Sequence, residues 1–355
     1  MHRSLQPDRP PAEDSATEFV ESHTSSTSAG GLVSHAPPAV QGRLPDFFVV
    51  GHAKSGTSAL YAMLRRHPQI FMPESKEPWF FADELHDRTP PRPEGTPKTL
   101  EEYVAWFDGA TDEELVGEAS ALYLWSHTAA RRIGDVRPDA RIIAILREPA
   151  SFLRSLHLQL IESYVETEND LAKAIALEPA RRSGRQIPRY TYWPQTLLYS
   201  EHVRYVEQLR RYHAVFAREQ VLVLTYDEFR DDNEATVRRV LRFLGVDDTV
   251  PIEPLRVNAT VRARSQRLHE LVHAVSVGRG PLSLAVKAAI KKAVPHTLRR
   301  DAVRAVRGRL VYGPPREADD DLMLELRQRF KQEVVALSEY LDRDLVTLWG
   351  YDRID

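Results

Sequence analysis

Residues 46–58 read Asp46-Phe47-Phe48-Val49-Val50-Gly51-His52-Ala53-Lys54-Ser55-Gly56-Thr57-Ser58. The apolar run Phe47–Val50 has the length and character of a strand buried on both faces of a sheet. Gly51 and Gly56 bracket a loop, and an amphipathic stretch from Ala59 to His67 follows at once. Strand, glycine-bracketed loop and helix, in that order, aim backbone N–H groups and a helix N-terminus at an anion such as phosphate. The lysine sets the chemistry. In the GxxxxGK[ST] loop that binds ATP or GTP, lysine follows the second glycine and the next hydroxyl holds Mg²⁺. Here Lys54 stands between the glycines and Thr57 directly follows Gly56. A lysine inside the loop reaches the 5′ end of a nucleotide and neutralises a leaving phosphate, with no metal-bound terminal phosphate to clamp.

A second segment repeats the pattern. The apolar run Ala140-Arg141-Ile142-Ile143-Ala144-Ile145-Leu146 ends in Arg147-Glu148-Pro149, and a helical pattern starts near Ser151. Ser155 follows Arg147 by eight residues, on the first turns of that helix. From Leu44 onward strands and helices alternate, as in an α/β layer fold. Val221–Tyr226 reads as a further buried strand. Ala235–Leu244 reads as a helix stopped by Gly245, and Tyr199–Arg218 as one helix of period near 3.6.

The two strand–turn–helix elements resemble those of sulfotransferases that use 3′-phosphoadenosine 5′-phosphosulfate (PAPS). The first is similar to their 5′-phosphosulfate loop, and "LREP…S" to their "RdP…S" element. The resemblance implies that Lys54, Ser55, Gly56, Thr57 and Ser58 hold the 5′-phosphosulfate. It also implies that Arg147 and Ser155 read the 3′-phosphate, the arginine through forked, charge-assisted hydrogen bonds. A third piece, Glu74-Ser75-Lys76-Glu77-Pro78-Trp79-Phe80-Phe81, resembles the "KE-x-x-FF" segment of heparan sulfate sulfotransferases and their bacterial relatives. There the glutamate is the proposed general base, which carries that role to Glu77. The chemistry agrees, because a hydroxyl attacks sulfur poorly unless its proton leaves as the S–O bond forms. Trp79, Phe80 and Phe81 are expected to wall and desolvate the Glu77 carboxylate. The bland alternative for Lys76 and Glu77 is a solvated pair ahead of an aromatic cluster.

The resemblance has departures. Where some heparan sulfate enzymes carry a second lysine in an "EKTPAYF"-like strand, this chain has Ala119 within Gly117-Glu118-Ala119-Ser120-Ala121. His52, Glu118 or His127 is left to share proton transfer, with His127 the alternative base. Asn258–Ser265 sits where the family folds a basic loop over the adenosine, implying Arg262 and Arg264 as further donor contacts, though no glycine occurs there. Leu322–Trp349 resembles the closing helix and tail, with Asp342 in place of the usual glycine. The resemblance runs from about Leu44 to the C-terminus. It implies an α/β, P-loop-like three-layer sandwich, with a central parallel β-sheet flanked by helices.

Composition narrows the classes further. The chain has 355 residues, 42% hydrophobic and 28% charged, ordinary for a globular protein with a full core. A net charge of −3 carries no nucleic-acid signature, and the absence of cysteine excludes disulfides, thiolate metal sites and cysteine nucleophiles. No run of eighteen apolar residues occurs. Residues 1–43 read as a disordered leader without an apolar signal segment, and 44–355 as the sulfotransferase domain. A cytoplasmic location is expected. Between Arg256 and Arg316 fourteen Lys and Arg face only Glu270 and Asp301. Within that basic segment, 256–316, residues 281–310 read as one or two basic amphipathic helices, which suit either a solvated face packed on the domain or peripheral contact with the inner membrane face.

The expected reaction is transfer of a sulfuryl group from PAPS to a hydroxyl or amine of a carbohydrate, glycolipid or other small-molecule acceptor. No metal is expected, because a sulfuryl group carries one negative charge where a phosphoryl carries about two. The alternatives are a non-catalytic PAP- or PAPS-binding protein and a P-loop kinase. The kinase would need lysine after Gly56. The aromatic-rich stretch Arg182–Pro194 serves equally as the floor of an acceptor pocket or as a capping loop. The acceptor's identity and the oligomeric state stay open at this level.

Overall fold

The computed structural model describes residues 42–85, 96–111, 115–189, 191, 193–253 and 319–354, with the backbone alone at 262–263 and 312–313. Its strands are β1 (Phe47–Gly51), β2 (Ile70–Phe71), β3 (Leu115–Ala119), β4 (Arg141–Leu146) and β5 (Val221–Thr225). They form one parallel sheet in the order β2-β3-β1-β4-β5. The chain builds outward from β1 on one side, to β3 and β2, and on the other to β4 and β5. Strand order therefore reverses at β1. In open α/β sheets the crevice beyond the strand ends at such a point is where ligands bind.

The helices are α1 (Thr57–Leu64), α2 (Leu100–Val104), α3 (Ala129–Val136), α4 (Pro149–Glu162), α5 (Leu171–Ala176) and α6 (Glu178–Arg182). They continue with α7 (Tyr199–His202), α8 (Tyr205–His213), α9 (Tyr226–Asp231), α10 (Asn233–Leu244), α11 (Asp320–Leu341) and α12 (Leu345–Leu348). Side chains alternate across the sheet. Phe47, Val49, Ile143 and Ile145 pack with Leu60 and Leu64 of α1 and Val240 and Leu241 of α10. Phe48, Val50, Ile142, Ala144 and Leu146 face the other layer, with Ile133 of α3, Phe152 and Leu153 of α4, Leu209 of α8 and Val334 of α11. Helices on both faces explain why these strands are continuously apolar. The three-layer expectation holds.

Three of the boundaries that differ from the sequence reading have a clear physical cause. The helix near Ser151 begins two residues earlier, because Pro149 suits the first turn and the Glu148 carboxylate accepts from the amides of Ala150 and Ser151. The stretch from Tyr199 is two helices, α7 and α8, not one. The Gln208 side-chain amide donates to the carbonyls of Glu201 and His202 at 3.0 and 3.1 Å, satisfying groups that a continuous helix would have bonded itself. The C-terminal helix stops at Asp342, whose φ of 51° is left-handed. That is the conformation a glycine would take more cheaply.

One internal ion pair braces the segment after α4. Arg181 Nη1 lies 2.7 Å from Glu166 Oε2 with both side chains buried, and Tyr199 donates to the same oxygen at 3.1 Å. Removing one partner strands a buried charge. Arg181→Met should cost about 3–5 kcal/mol in chemical denaturation. A loss below about 1 kcal/mol would show that water reaches the carboxylate.

Candidate functional site

The carboxyl ends of β1 and β4 each deliver a turn, and the two turns are bonded to each other. After β1, residues 52–56 lead into α1, whose N-cap is Gly56 at φ 91° with no capping side chain. The first amides of the helix are thus left for a ligand at the positive end of its dipole. A Cβ at Gly56 would lie 2.8 Å from a ring carbon of Phe229, so the loop rests on α9 at a distance only glycine permits. Lys54 itself is left-handed, at φ 62°. Such backbone strain costs a non-glycine residue about 1–3 kcal/mol and collects at functional sites.

The Lys54 carbonyl accepts from Arg147 Nη1 at 2.8 Å. Arg147 lies over the Tyr226 ring at 4.5 Å, its Nε donates to Ser151 Oγ at 3.0 Å, and its own carbonyl accepts from the Tyr205 hydroxyl at 2.8 Å. The next residue, Glu148, accepts from the Tyr351 hydroxyl at 2.6 Å, so the C-terminal segment holds this turn. Ser155 lies further along α4, buried, with no hydrogen-bond partner for its Oγ among the described residues. A buried hydroxyl left unpaired costs about 1–3 kcal/mol, a penalty that a ligand anion would remove.

The two cations are destabilised as cations. Burial lowers the pKa of Lys54, Glu162 opposes this, and the charges of Arg147 and Lys76 lower it further. Burial also lowers that of Arg147, against the neighbouring Tyr226, Tyr205, Asp227 and Glu148. Positive groups crowded together with little water gain most when an anion arrives.

Glu77 sits at the end of β3. Its N–H donates to the Ala119 carbonyl at 3.0 Å, and both Glu77 and Trp79 have positive φ, at 67° and 51° around Pro78. That path brings Trp79 Nε1 to Glu77 Oε2 at 2.8 Å, while the Ala121 amide reaches the same oxygen at 3.3 Å. Lys76 Nζ lies 2.9 Å from Oε1. A Cβ on Gly51 would come within 2.8 Å of the Ala121 carbonyl. The carboxylate and the start of the anion loop are therefore packed through one residue.

The expected aromatic wall is only partly there. Phe80 stacks on Tyr103 at 4.7 Å, and Phe81 packs edge-on against Phe48 at 5.9 Å, both inside the core. Of the three, Trp79 touches Glu77, and it does so as a hydrogen-bond donor. Trp193, from the aromatic-rich stretch, meets Trp79 edge-on at 5.2 Å and donates its Nε1 to the Leu85 carbonyl at 3.2 Å.

The alternative proton carriers separate cleanly. His127 is exposed, and its backbone amide donates to Glu84. His52 is fully buried with Nε2 2.6 Å from Gln208 Oε1, and burial lowers its pKa to about 3. Because Gln208 Nε2 already donates twice, its Oε1 is the acceptor and His52 is a neutral Nε2–H prop beneath the loop. Glu118 accepts from the Tyr103 hydroxyl at 3.0 Å, and burial raises its pKa to about 7. Of Arg262 only the backbone is described, pairing 262–263 antiparallel with 312–313. Arg264 and residues 281–310 lie outside the described residues. Sequence reasoning missed Tyr226, Tyr205, Tyr351 and Gln208, since nothing local marks a tyrosine or amide that supports a turn across the fold.

Among the described residues no group of three His, Asp or Glu is arranged to hold a metal, and no helix is long and apolar enough to cross a membrane. A cavity of about 250 Å³, lined by Met63, His67, Leu241 and Ile252, opens at the C-terminal end of α1, away from the anion loop.

The sequence model described as "Sulfotransferase family" matches residues 45–250. Mouse carbohydrate sulfotransferase 15 is 26% identical over 275 residues, covering 61% of this chain and 46% of the relative. Mouse heparan sulfate glucosamine 3-O-sulfotransferase 6 is 29% identical, covering 61% of this chain and 57% of the relative. The chain thus spans about half the length of these curated relatives. A solved sulfotransferase from Alicyclobacillus acidocaldarius is 29% identical with a TM-score of 0.63, covering 87% of this chain and 99% of the other.

The buried Glu118 has a consequence for stability. Its folded pKa, about 7, exceeds the ordinary 4.5, so the native state holds a proton that the unfolded state releases between those values. Its contribution is intact below pH 4.5 and falls as pH rises toward 7. Glu118→Gln should therefore match the wild type near pH 4.5 and exceed it above pH 7 by on the order of 2–3 kcal/mol. Parallel stability–pH curves would place the ionised form in contact with water.

Proposed function

The chain belongs to the sulfotransferase family, and on that premise we propose that it moves the sulfuryl group of PAPS to a hydroxyl of a carbohydrate or glycolipid. The observation that carries the donor assignment is the bonded pair of turns, Lys54 carbonyl to Arg147, beside the unpartnered Ser155 hydroxyl. One turn suits the 5′ end of the nucleotide and the other its 3′-phosphate. The amides of Ser55, Gly56, Thr57 and Ser58 and the Lys54 ammonium bind the 5′-phosphosulfate. Arg147 and Ser155 bind the 3′-phosphate. Thr57 after Gly56 leaves no lysine for the γ-phosphate of ATP.

The acceptor oxygen forms its bond to sulfur while the bond from sulfur to the bridging oxygen breaks, and that electron pair stays with the 5′-phosphate of the product. Lys54 stabilises the charge growing on the leaving oxygen. Glu77 takes the acceptor proton, oriented by the Trp79 and Ala121 N–H groups on Oε2. The Trp79–Trp193 corner presents apolar ring surface next to the carboxylate, suited to the face of a pyranose ring. The names of the carbohydrate-acting relatives support that class.

Labelled PAPS, offered with glycan and glycolipid fractions, should pass its sulfate to product. Lys54→Ala should lower turnover by about 10²-fold or more with the fold intact. Glu77→Gln should lower it by about 10²–10⁴-fold with an alcohol acceptor while PAPS affinity barely changes. Unaltered turnover in Glu77→Gln with loss in His127→Ala would move the base to the histidine.

Ser155→Ala makes a two-sided test. It should weaken PAP binding about tenfold, as loss of a charged hydrogen bond does, without destabilising the free protein, since no bond is broken there. Equal calorimetric affinity for ligands with and without the 3′-phosphate would remove Arg147 and Ser155 from the site.

A further inference from the structure

One cation at the site has no place in the scheme above. Lys76 Nζ is 2.9 Å from Glu77 Oε1, and the two side chains are 23% and 22% exposed. Trp79 and Ala121 already occupy Oε2, so the ammonium sits on the oxygen that is otherwise open to an incoming hydroxyl. A carboxylate oxygen has two lone-pair positions and an ammonium has three N–H groups, so the ion pair uses up neither partner. The pair lies beside the residue through which the two halves of the site meet. Glu77 is bonded to Ala121, Ala121 packs on Gly51, and Gly51 opens the anion loop. The charge of Lys76 is felt at Lys54 in the same sense as that of Arg147. A plain surface pair would face water on all its free sides. This one is close enough to Lys54 for the two like charges to oppose each other, an opposition that a bound anion would relieve.

We propose that Lys76 is a further catalytic residue, its ammonium bridging the Glu77 carboxylate and the non-bridging oxygens of the sulfuryl group during transfer. The inference rests on the reading of Glu77 as base and PAPS as donor. Lys76 gives up no proton and forms no covalent bond. The acceptor proton passes to Glu77, the electron pair of the breaking S–O bond goes to the 5′-phosphate, and the ammonium stabilises charge on the sulfuryl oxygens. In the free protein it holds the base in line. With the donor bound, its spare N–H groups set the distance between base and electrophile through one shared cation.

Lys76→Gln keeps a hydrogen-bond donor for Glu77 and removes the charge, whereas Lys76→Arg keeps both. Thermal denaturation first checks that each variant is folded. Without acceptor, calorimetry should show Lys76→Gln binding PAPS about tenfold more weakly and PAP within about threefold of wild type, because only PAPS carries the sulfuryl group. Its kcat should fall by about 10²-fold, and Lys76→Arg should recover most of both losses. Wild-type kcat in Lys76→Gln, equal weakening of PAP and PAPS, or no recovery by arginine would each overturn the proposal. Failure of the underlying reading looks different: the wild type itself would bind neither nucleotide or transfer no sulfate.

Discussion

The hydrogen bond from Arg147 to the Lys54 carbonyl ties together two turns that leave different strands 93 residues apart. Without it the Gly51–Gly56 loop and the Arg147–Pro149 turn would be two separate candidate anion sites. With it they form one continuous surface of N–H groups across the point where strand order reverses. The bond spends a guanidinium N–H on the protein instead of a ligand. In return it places the guanidinium beside the loop before any ligand is present, so less ordering remains to be done on binding.

This arrangement is expensive for the free protein. Lys54, Glu77 and Trp79 hold positive φ, two cations are partly withdrawn from water, and a serine hydroxyl is buried without a partner among the described residues. The strained backbone positions and the buried hydroxyl each oppose folding by about 1–3 kcal/mol. Tertiary bracing offsets them. Tyr205 and Tyr351 pin the Arg147–Glu148 turn, Phe229 closes on Gly56, and Gln208 fixes the orientation of the buried His52 beneath the loop. α11 packs Leu326, Phe330, Val334 and Leu337 into the core, and Tyr351 follows shortly after it. The C-terminal segment, remote in sequence, thus supports the turn at the site.

The Glu77 region shows how a local rule can mislead. Three aromatic residues after a glutamate suggest an apolar pocket around a carboxylate. The chain instead turns twice through left-handed backbone, sending Phe80 and Phe81 into the core and bringing only Trp79 back as a donor. The carboxylate is consequently held by hydrogen bonds and an ion pair more than by desolvation, and its orientation is defined before an acceptor arrives.

Residue order alone determined the layers. Continuous apolar runs at 47–50 and 142–146 require a sheet covered on both faces, and the loop-to-helix junctions at Gly56 and Pro149 required two helix N-termini at strand ends. Lys54, Arg147, Ser155 and Glu77 could be singled out as candidates because each lies at a fixed offset from such a junction or within a recognisable segment. Only the tertiary structure decided which tyrosine stacks on Arg147, that His52 is a buried prop, that Glu118 is a buried carboxyl, and that Lys76 pairs with Glu77. It also split the stretch after Tyr199 into two helices, through a glutamine that bonds to carbonyls six and seven residues back. The physical reason is range. Apolar period and capping act within a few residues and leave a local trace. Hydrogen-bond partners, burial and the charge at a site depend on chains that meet only after folding, and a sequence window holds one partner of each pair.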